Sequence, residues 1–157
     1  MTVGSGIRYD LFMVAPQAER LLTKLIQFHV SGQLKIAPEH SDQKVLQAMR
    51  KTALFPLFDF VKLYNSLNQK LKKEQHLIPY LMSCHPGSGN LEMKEMKKEM
   101  RSIFKFLPKQ VQAFIPLPMT LSSVIYYTGV DPLTGEKFFV EKKMRGRRKQ
   151  HSLFSTK

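Results

Sequence analysis

The sequence predicts an α/β fold, about four parallel strands with outer helices followed by a basic tail, and three observations carry that expectation. Four short apolar segments recur along the chain, each followed by a helical pattern or a turn. Strands spaced in this way, with helices between them, imply βαβ units and a parallel sheet. An open set of four such strands leaves two edges unpaired, whereas parallel sheets normally close or are covered, so the pattern reads as a piece of a larger barrel.

The first expected strand is Gly6 to Leu11. Leu21, Leu22, Leu25 and Ile26 then form a helical stripe, with Pro16 tolerable near the helix start. Leu34 to Pro38, Leu-Lys-Ile-Ala-Pro, is the second strand. Ser41 is placed to cap a short helix carrying Val45, Leu46 and Met49, and a longer helix follows with Phe60, Tyr64, Leu67 and Leu71 on one face. Its end, Lys70 to Lys73, is basic as a helix C-terminus prefers.

Leu77 to Ser83 is the third strand. Met93, Met96, Met100, Ile103 and Leu107 then repeat at threes and fours while Lys94, Lys97, Lys98 and Arg101 turn outward, with Asn90 as the expected cap and Pro108 as the stop. A methionine stripe can seat a partner helix, but a core face packed on the sheet is the simpler use. Val111 to Ile115 is the last strand. Val124 to Thr128, turn signals at Gly129, Asp131-Pro132 and Thr134-Gly135, and Lys137 to Val140 together read as a hairpin-like excursion. The basic run Lys142 to Lys149 has no apolar period, and the chain divides at residue 128 into a strand-and-helix part, 1–128, and the excursion with its tail, 129–157.

Composition sets the remaining bounds. A chain of 157 residues with 43% apolar side chains can build a core, and 25 Lys and Arg against 12 Asp and Glu give a formal charge of +13. That charge favours contact with polyanions, so nucleic acid is a candidate partner. The single cysteine, Cys84, excludes an intrachain disulfide and a multi-cysteine metal site. No signal-like or span-length apolar stretch is present, so a cytoplasmic chain without a membrane partner is expected.

Read in order, Ser5-Gly-Ile-Arg-Tyr-Asp10, Leu34-Lys-Ile-Ala-Pro-Glu-His40, Ile78-Pro-Tyr80, His85-Pro-Gly87, Gln110-Val-Gln112 and Tyr126-Tyr-Thr-Gly129 resemble the YgiQ-like radical SAM proteins. A looser likeness is to the methylthiotransferase group, whose strand ends occupy the places of Pro38 to Ser41 and Cys84 to Ser88. The resemblance implies a partial (β/α) TIM-like barrel. In intact relatives it implies a [4Fe-4S] cluster, held by a Cys-x-x-x-Cys-x-x-Cys loop, that cleaves S-adenosylmethionine to a radical. By that mapping the chain supplies the later strands and none of the cluster cysteines, so it is expected to hold no cluster by itself. Ala113 stands where the family tends to carry Asp or Asn, and Ile115-Pro-Leu-Pro-Met119 replaces a more polar run.

The candidate site residues follow from strand ends, where a barrel builds its active site. Glu39 and His40 lie just past a strand and can hydrogen-bond ribose hydroxyls or simply serve structure; the resemblance tips them towards S-adenosylmethionine. His85 precedes Pro86-Gly87, where Gly87 either lets the backbone approach a ligand or makes a plain turn. Gln112 and Phe114 share a strand face and can meet an adenine, although an aromatic there also serves a core. Arg8 and Asp10 would alternate on one face of the first strand, as a substrate-binding pair or an internal ion pair.

The leading expectation is thus a fragment of a radical SAM enzyme, inactive alone, with its own enzymatic status left open by the missing cysteines. Its natural partner would be an N-terminal half-barrel polypeptide, or a second copy through self-association. The alternatives are a basic non-catalytic nucleic-acid-binding module and a degenerate gene remnant.

Overall fold

The computed structural model describes residues 1–51 and 57–154. In chain order the elements are α1 (Tyr9–Val14), α2 (Ala18–Phe28), β1 (Gln33–Glu39), α3 (Gln43–Ala48), α4 (Leu57–Lys70), β2 (His76–Ser83), α5 (Asn90–Phe104), β3 (Val111–Ala113), α6 (Leu121–Thr128) and α7 (Met144–Ser152). The three strands form one parallel sheet in the order β1-β2-β3. Among the described residues the chain divides into two compact units, 1–38 with 57–80 and 39–51 with 81–154.

In the first unit α1, α2 and α4 pack on one another. The α2 stripe buries Leu22, Leu25 and Ile26 and leaves Leu21 exposed, while α4 buries Leu57, Phe60, Val61, Tyr64 and Leu67 at helical spacing. Tyr9 meets Phe60 at 5.5 Å between ring centroids. A buried glutamine joins the helix ends: Gln75 Nε2 donates to the carbonyls of Ile26 and Val30, both at 3.0 Å, and its backbone carbonyl accepts from Asn68 at 2.6 Å. These bonds satisfy carbonyls that the end of α2 would otherwise leave orphaned. Burial pushes the Tyr64 phenol up to about 12.

The expected first strand is corrected here. Only Ile7 behaves as a strand residue, donating to Lys35 O at 2.9 Å and accepting from Ala37 N at 3.0 Å in a parallel bridge to Ile36. From Tyr9 the backbone is helical. Asp10 in the first turn suits a helix N-terminus, and the Tyr9 ring gains Phe60 as a neighbour.

In the second unit Leu81, Met82 and Ser83 of β2 pair in parallel with Val111, Gln112 and Ala113 of β3. Helix α5 buries Met93, Met96, Met100 and Phe104, so Phe104 takes the place expected of Ile103 and Leu107 in the stripe. Its cap is Gly89 rather than Asn90: the Gly89 N–H donates to the Glu92 carboxylate at 2.8 Å, and Lys105 in the left-handed region ends the helix before Pro108. Asp42, not Ser41, caps α3 through Val45 N at 3.0 Å.

Two further expectations change. Val124 to Thr128, expected to lead into the excursion as extended chain, lies in helix α6 (Leu121–Thr128), because Thr120 caps it on Ser123 N and Gly129 (φ 75°) stops it. The turn itself runs from Gly129 to Phe138, with an antiparallel bridge between Val130 and Lys137 and with Arg50 donating to the buried Asp131 carboxylate at 2.6 and 2.8 Å. The basic run is not a bare tail: from Met144 it forms helix α7, which packs on β3 and α5 and buries Gln150, with Phe154 buried just beyond. No helix among the described residues is long and apolar enough to cross a membrane.

Candidate functional site

The second unit has a cavity of about 440 Å³ where β2 and β3 end. Parallel strands present their carboxyl ends to one side of a sheet, and ligand sites of α/β proteins form there. The strand ends are marked by backbone strain. Glu39, which ends β1, has φ 64°, and Cys84, immediately after β2, has φ 62°. Left-handed non-glycine residues cost about 1–2 kcal/mol each. They turn the chain sharply at the strand ends, which puts Glu39 and His85 on the cavity wall.

The wall is apolar for the most part, with Met49, Met82, Phe114, Ile115 and Leu117 contributing. Its polar groups are few and defined. Lys51 Nζ donates to Glu39 Oε1 at 3.3 Å, with both side chains about one-fifth exposed, so the pair is shielded from bulk screening. Gln112 is exposed on the wall and Ser122 lies at the start of α6.

His85 is buried against this wall, with its ring edge-on to Phe114 at 4.8 Å and 71°. Its Nδ1 lies 3.0 Å from Pro86 O, which can only accept, so Nδ1 carries the proton. Nε2 therefore accepts from the Ser122 hydroxyl at 2.9 Å. Burial pulls the imidazole down to about 4, opposed by the Pro86 carbonyl. The result is a neutral imidazole of fixed tautomer that orients a serine hydroxyl at the cavity wall.

His40 is equally buried but faces elsewhere. Its Nδ1 accepts from Asp42 N at 3.0 Å, which leaves Nε2 to donate to Ser88 Oγ at 3.2 Å. Burial, offset by Asp42 and reinforced by His85, also pulls His40 down to about 4. Ser88 in turn meets Gln150, whose Oε1 accepts from Cys84 N at 3.0 Å and whose Nε2 donates to Ser88 O at 2.9 Å. Cys84 is fully buried, its thiol donates to Arg147 O at 3.5 Å with Ser83 Oγ 3.7 Å from the sulfur, and burial pushes its thiol up.

Of the residues singled out from sequence, the structure brings Glu39, His85, Gln112 and Phe114 together on one cavity. It places His40 in the network just described. Gly87 (φ 90°) faces Phe138 and Val45, which a Cβ there would meet at 3.3 and 3.4 Å, so its freedom serves core packing and a tight turn. Arg8 and Asp10 belong to the first unit and bind each other, with Nε 2.9 Å from Oδ1. They do not alternate along a strand, because Asp10 lies in α1. Burial pushes the Asp10 carboxyl up, and the Arg8 guanidinium outweighs it and holds the group below its ordinary value. Lys51 and Ser122 were not foreseen. The cap Thr120-Leu-Ser-Ser123 signals a helix start that would present Ser122, whereas nothing local marks Lys51.

No family model matches the chain. The UPF0313 protein of Clostridium botulinum strain 657 / Type Ba4 is 43% identical over 154 residues, which are 96% of this chain and 23% of that protein. UPF0313 proteins of Methanocella arvoryzae and Fusobacterium nucleatum are 41% and 38% identical over 99% of this chain and 25% and 28% of their own lengths. The chain is thus similar, over nearly its whole length, to a segment that makes up about a quarter of a UPF0313 protein.

Proposed function

We propose that the chain is a segment of a radical SAM enzyme of the UPF0313 type, contributing nucleoside- and substrate-facing surface of a TIM-like barrel. The observation that carries this reading is the cavity at the ends of β2 and β3, to which Glu39, His85 and Gln112 come from three of the motifs that resemble the YgiQ-like proteins. Its volume of about 440 Å³ suits a small ligand, since such pockets commonly hold about 300–1,000 Å³. Phe114 and Met82 offer apolar contact to a planar base, Gln112 an amide for its polar edge, and Glu39 an acceptor for ribose hydroxyls. Lys51 beside Glu39 is positioned for the carboxylate of an amino-acid moiety.

The cluster is another matter. A [4Fe-4S] centre calls for several thiolates, and the chain's one thiol is buried and raised above its ordinary value. The residues here do not fit the cluster, and radical chemistry would need a cysteine loop from elsewhere in a longer protein.

Two measurements test the reading. Calorimetric titration with S-adenosylmethionine and S-adenosylhomocysteine should show one saturable site, weakened at least tenfold by Gln112→Leu, an exposed position whose change leaves the core intact. No binding of either nucleoside at millimolar concentration overturns the proposal. Anaerobic reconstitution with iron and sulfide should leave the chain without a [4Fe-4S] absorbance, and about one stable cluster per chain would contradict it.

A further inference from the structure

Helix α7 breaks a local rule. A helix N-terminus carries partial positive charge and favours acidic side chains, yet α7 begins after Lys142-Lys143 and continues Met-Arg-Gly-Arg-Arg-Lys, with no acidic residue in its first turn. Residues 142–157 hold seven Lys and Arg and no Asp or Glu. Lys142, Lys143, Arg145, Arg148 and Lys149 are exposed, and none of the five forms an ion pair among the described residues. Glu141 precedes the run; its carboxylate accepts from Lys143 N at 3.0 Å and lies over Gly146, where a Cβ would meet it at 2.0 Å. Helix α5, packed against α7, adds Lys94, Lys98 and Arg101 against Glu95 and Glu99 on its exposed face.

Such concentrated charge would fray an isolated helix, but α7 is held by its other face. Gln150 is bonded to Cys84 and Ser88, Phe154 is buried, Lys97 donates to Leu153 O, and Arg147 donates to Phe114 O while lying 5.8 Å over the Tyr126 ring. The unit therefore spends buried hydrogen bonds to hold unneutralised cations in a fixed array. Local conflict maintained by tertiary contacts marks a site with a use.

Aromatic residues flank one end of the run. Lys142 Nζ lies 5.9 Å over the Tyr126 ring and donates to Tyr127 O at 3.0 Å; Tyr127 is 68% exposed, and Phe139, three residues before Lys142, is 58% exposed. Cations that track phosphates, interleaved with exposed rings on which bases stack, are what a single-stranded nucleic acid requires. We infer that α7 with Tyr127 and Phe139 is a binding surface for single-stranded nucleic acid, a site separate in its residues from the cavity and independent of the radical SAM reading.

Fluorescence anisotropy of the full chain with a labelled mixed-sequence oligonucleotide of about 16 nucleotides tests this. Arg145→Gln, Arg148→Gln and Lys149→Gln combined should lower affinity at least tenfold near 0.1 M salt and reduce the slope of log K against log salt by about 2, at roughly 0.7 per phosphate contact. Removing the same charge from the first unit, Lys24→Gln, Lys62→Gln and Lys73→Gln, should change affinity less than threefold. Tyr127→Ala should cost about fivefold or more at every salt concentration, because stacking is not screened. Equal losses for the two triple variants overturn the site. Tyr127→Ala binding like the parent, with polyglutamate or anionic vesicles competing as well as oligonucleotide, overturns the nucleic-acid assignment in favour of another polyanion.

Discussion

His40 and His85 are each about 2% exposed, neutral, and pulled by burial to about 4. In the unfolded chain an imidazole titrates near 6.5, so between these values the unfolded state binds more protons than the folded one. Stability from these two groups is therefore complete above about pH 6.5, is lost as pH falls through that window, and stops changing below about 4. The loss amounts to roughly 3 kcal/mol for each by pH 4. Urea midpoints at pH 7, 5.5 and 4.5 should fall in that order, with imidazole resonances in the folded chain unshifted down to about pH 5. A constant midpoint with both histidines titrating near 6.5 would show that they are open to water. Sequence could nominate His85 and Glu39 because strand ends are where ligands bind, but it could not separate His85 from His40. Both follow a strand, and which one reaches the cavity is decided by partners 37 and 48 residues away, Ser122 and Ser88.

At the scale of elements, Gln150 is the buried polar anchor of α7. Gln150 is 1% exposed and satisfies Cys84 N and Ser88 O. Gln150→Leu keeps the volume and strands a buried donor and a buried acceptor, at a cost of about 2–4 kcal/mol. Hydrogen exchange should speed up across Met144–Ser152 and Cys84 to Ser88 while α5 keeps its protection; unchanged exchange in α7 would mean that Phe154 and Arg147 suffice to hold it. The elements legible in the sequence were mainly those whose burial follows a local period: β1, β2, α2, α4 and α5 each alternate or repeat in step with their own geometry, and α3 and the shorter β3 also fall where they were expected. Three were not. The segment from Gly6 has β-like neighbours but a helix-compatible Tyr9 to Val14, and packing on Phe60 decided it. Val124 to Thr128 is rich in strand-favouring residues, yet it buries only Ile125 and its neighbour Ser123 in α6 and follows a threonine cap. Helix α7 has almost no apolar face, so its anchoring through an amide and a terminal Phe154 gives no periodic signal.

For the molecule as a whole, the open question of surface is what covers the end of the sheet. Among the described residues β3 has a strand neighbour on one side only, and it runs into Ile115, Leu117 and Met119, which are 71%, 61% and 104% exposed. A parallel strand at an edge followed by bare apolar side chains is a template for association. The UPF0313 relatives are about four times longer than the matched segment, so a larger protein has chain to spare for covering it. In the isolated chain the expected outcome is self-association opposed by the charge of +13. Like charges repel over about 30 Å at 0.01 M salt and about 8 Å at 0.15 M, so added salt should strengthen association while it weakens nucleic-acid binding. Sedimentation equilibrium separates the two trends, since only the first persists without oligonucleotide. Leu117→Ser with Met119→Ser should return the chain to monomer at high salt, because these exposed side chains support no core and their loss leaves the fold intact. A parent chain that is monomeric at both salt concentrations would show that the β3 edge needs no cover. Association that survives the double substitution would place the contact elsewhere, with the exposed Phe28 and Phe58 of the first unit the next to be tested.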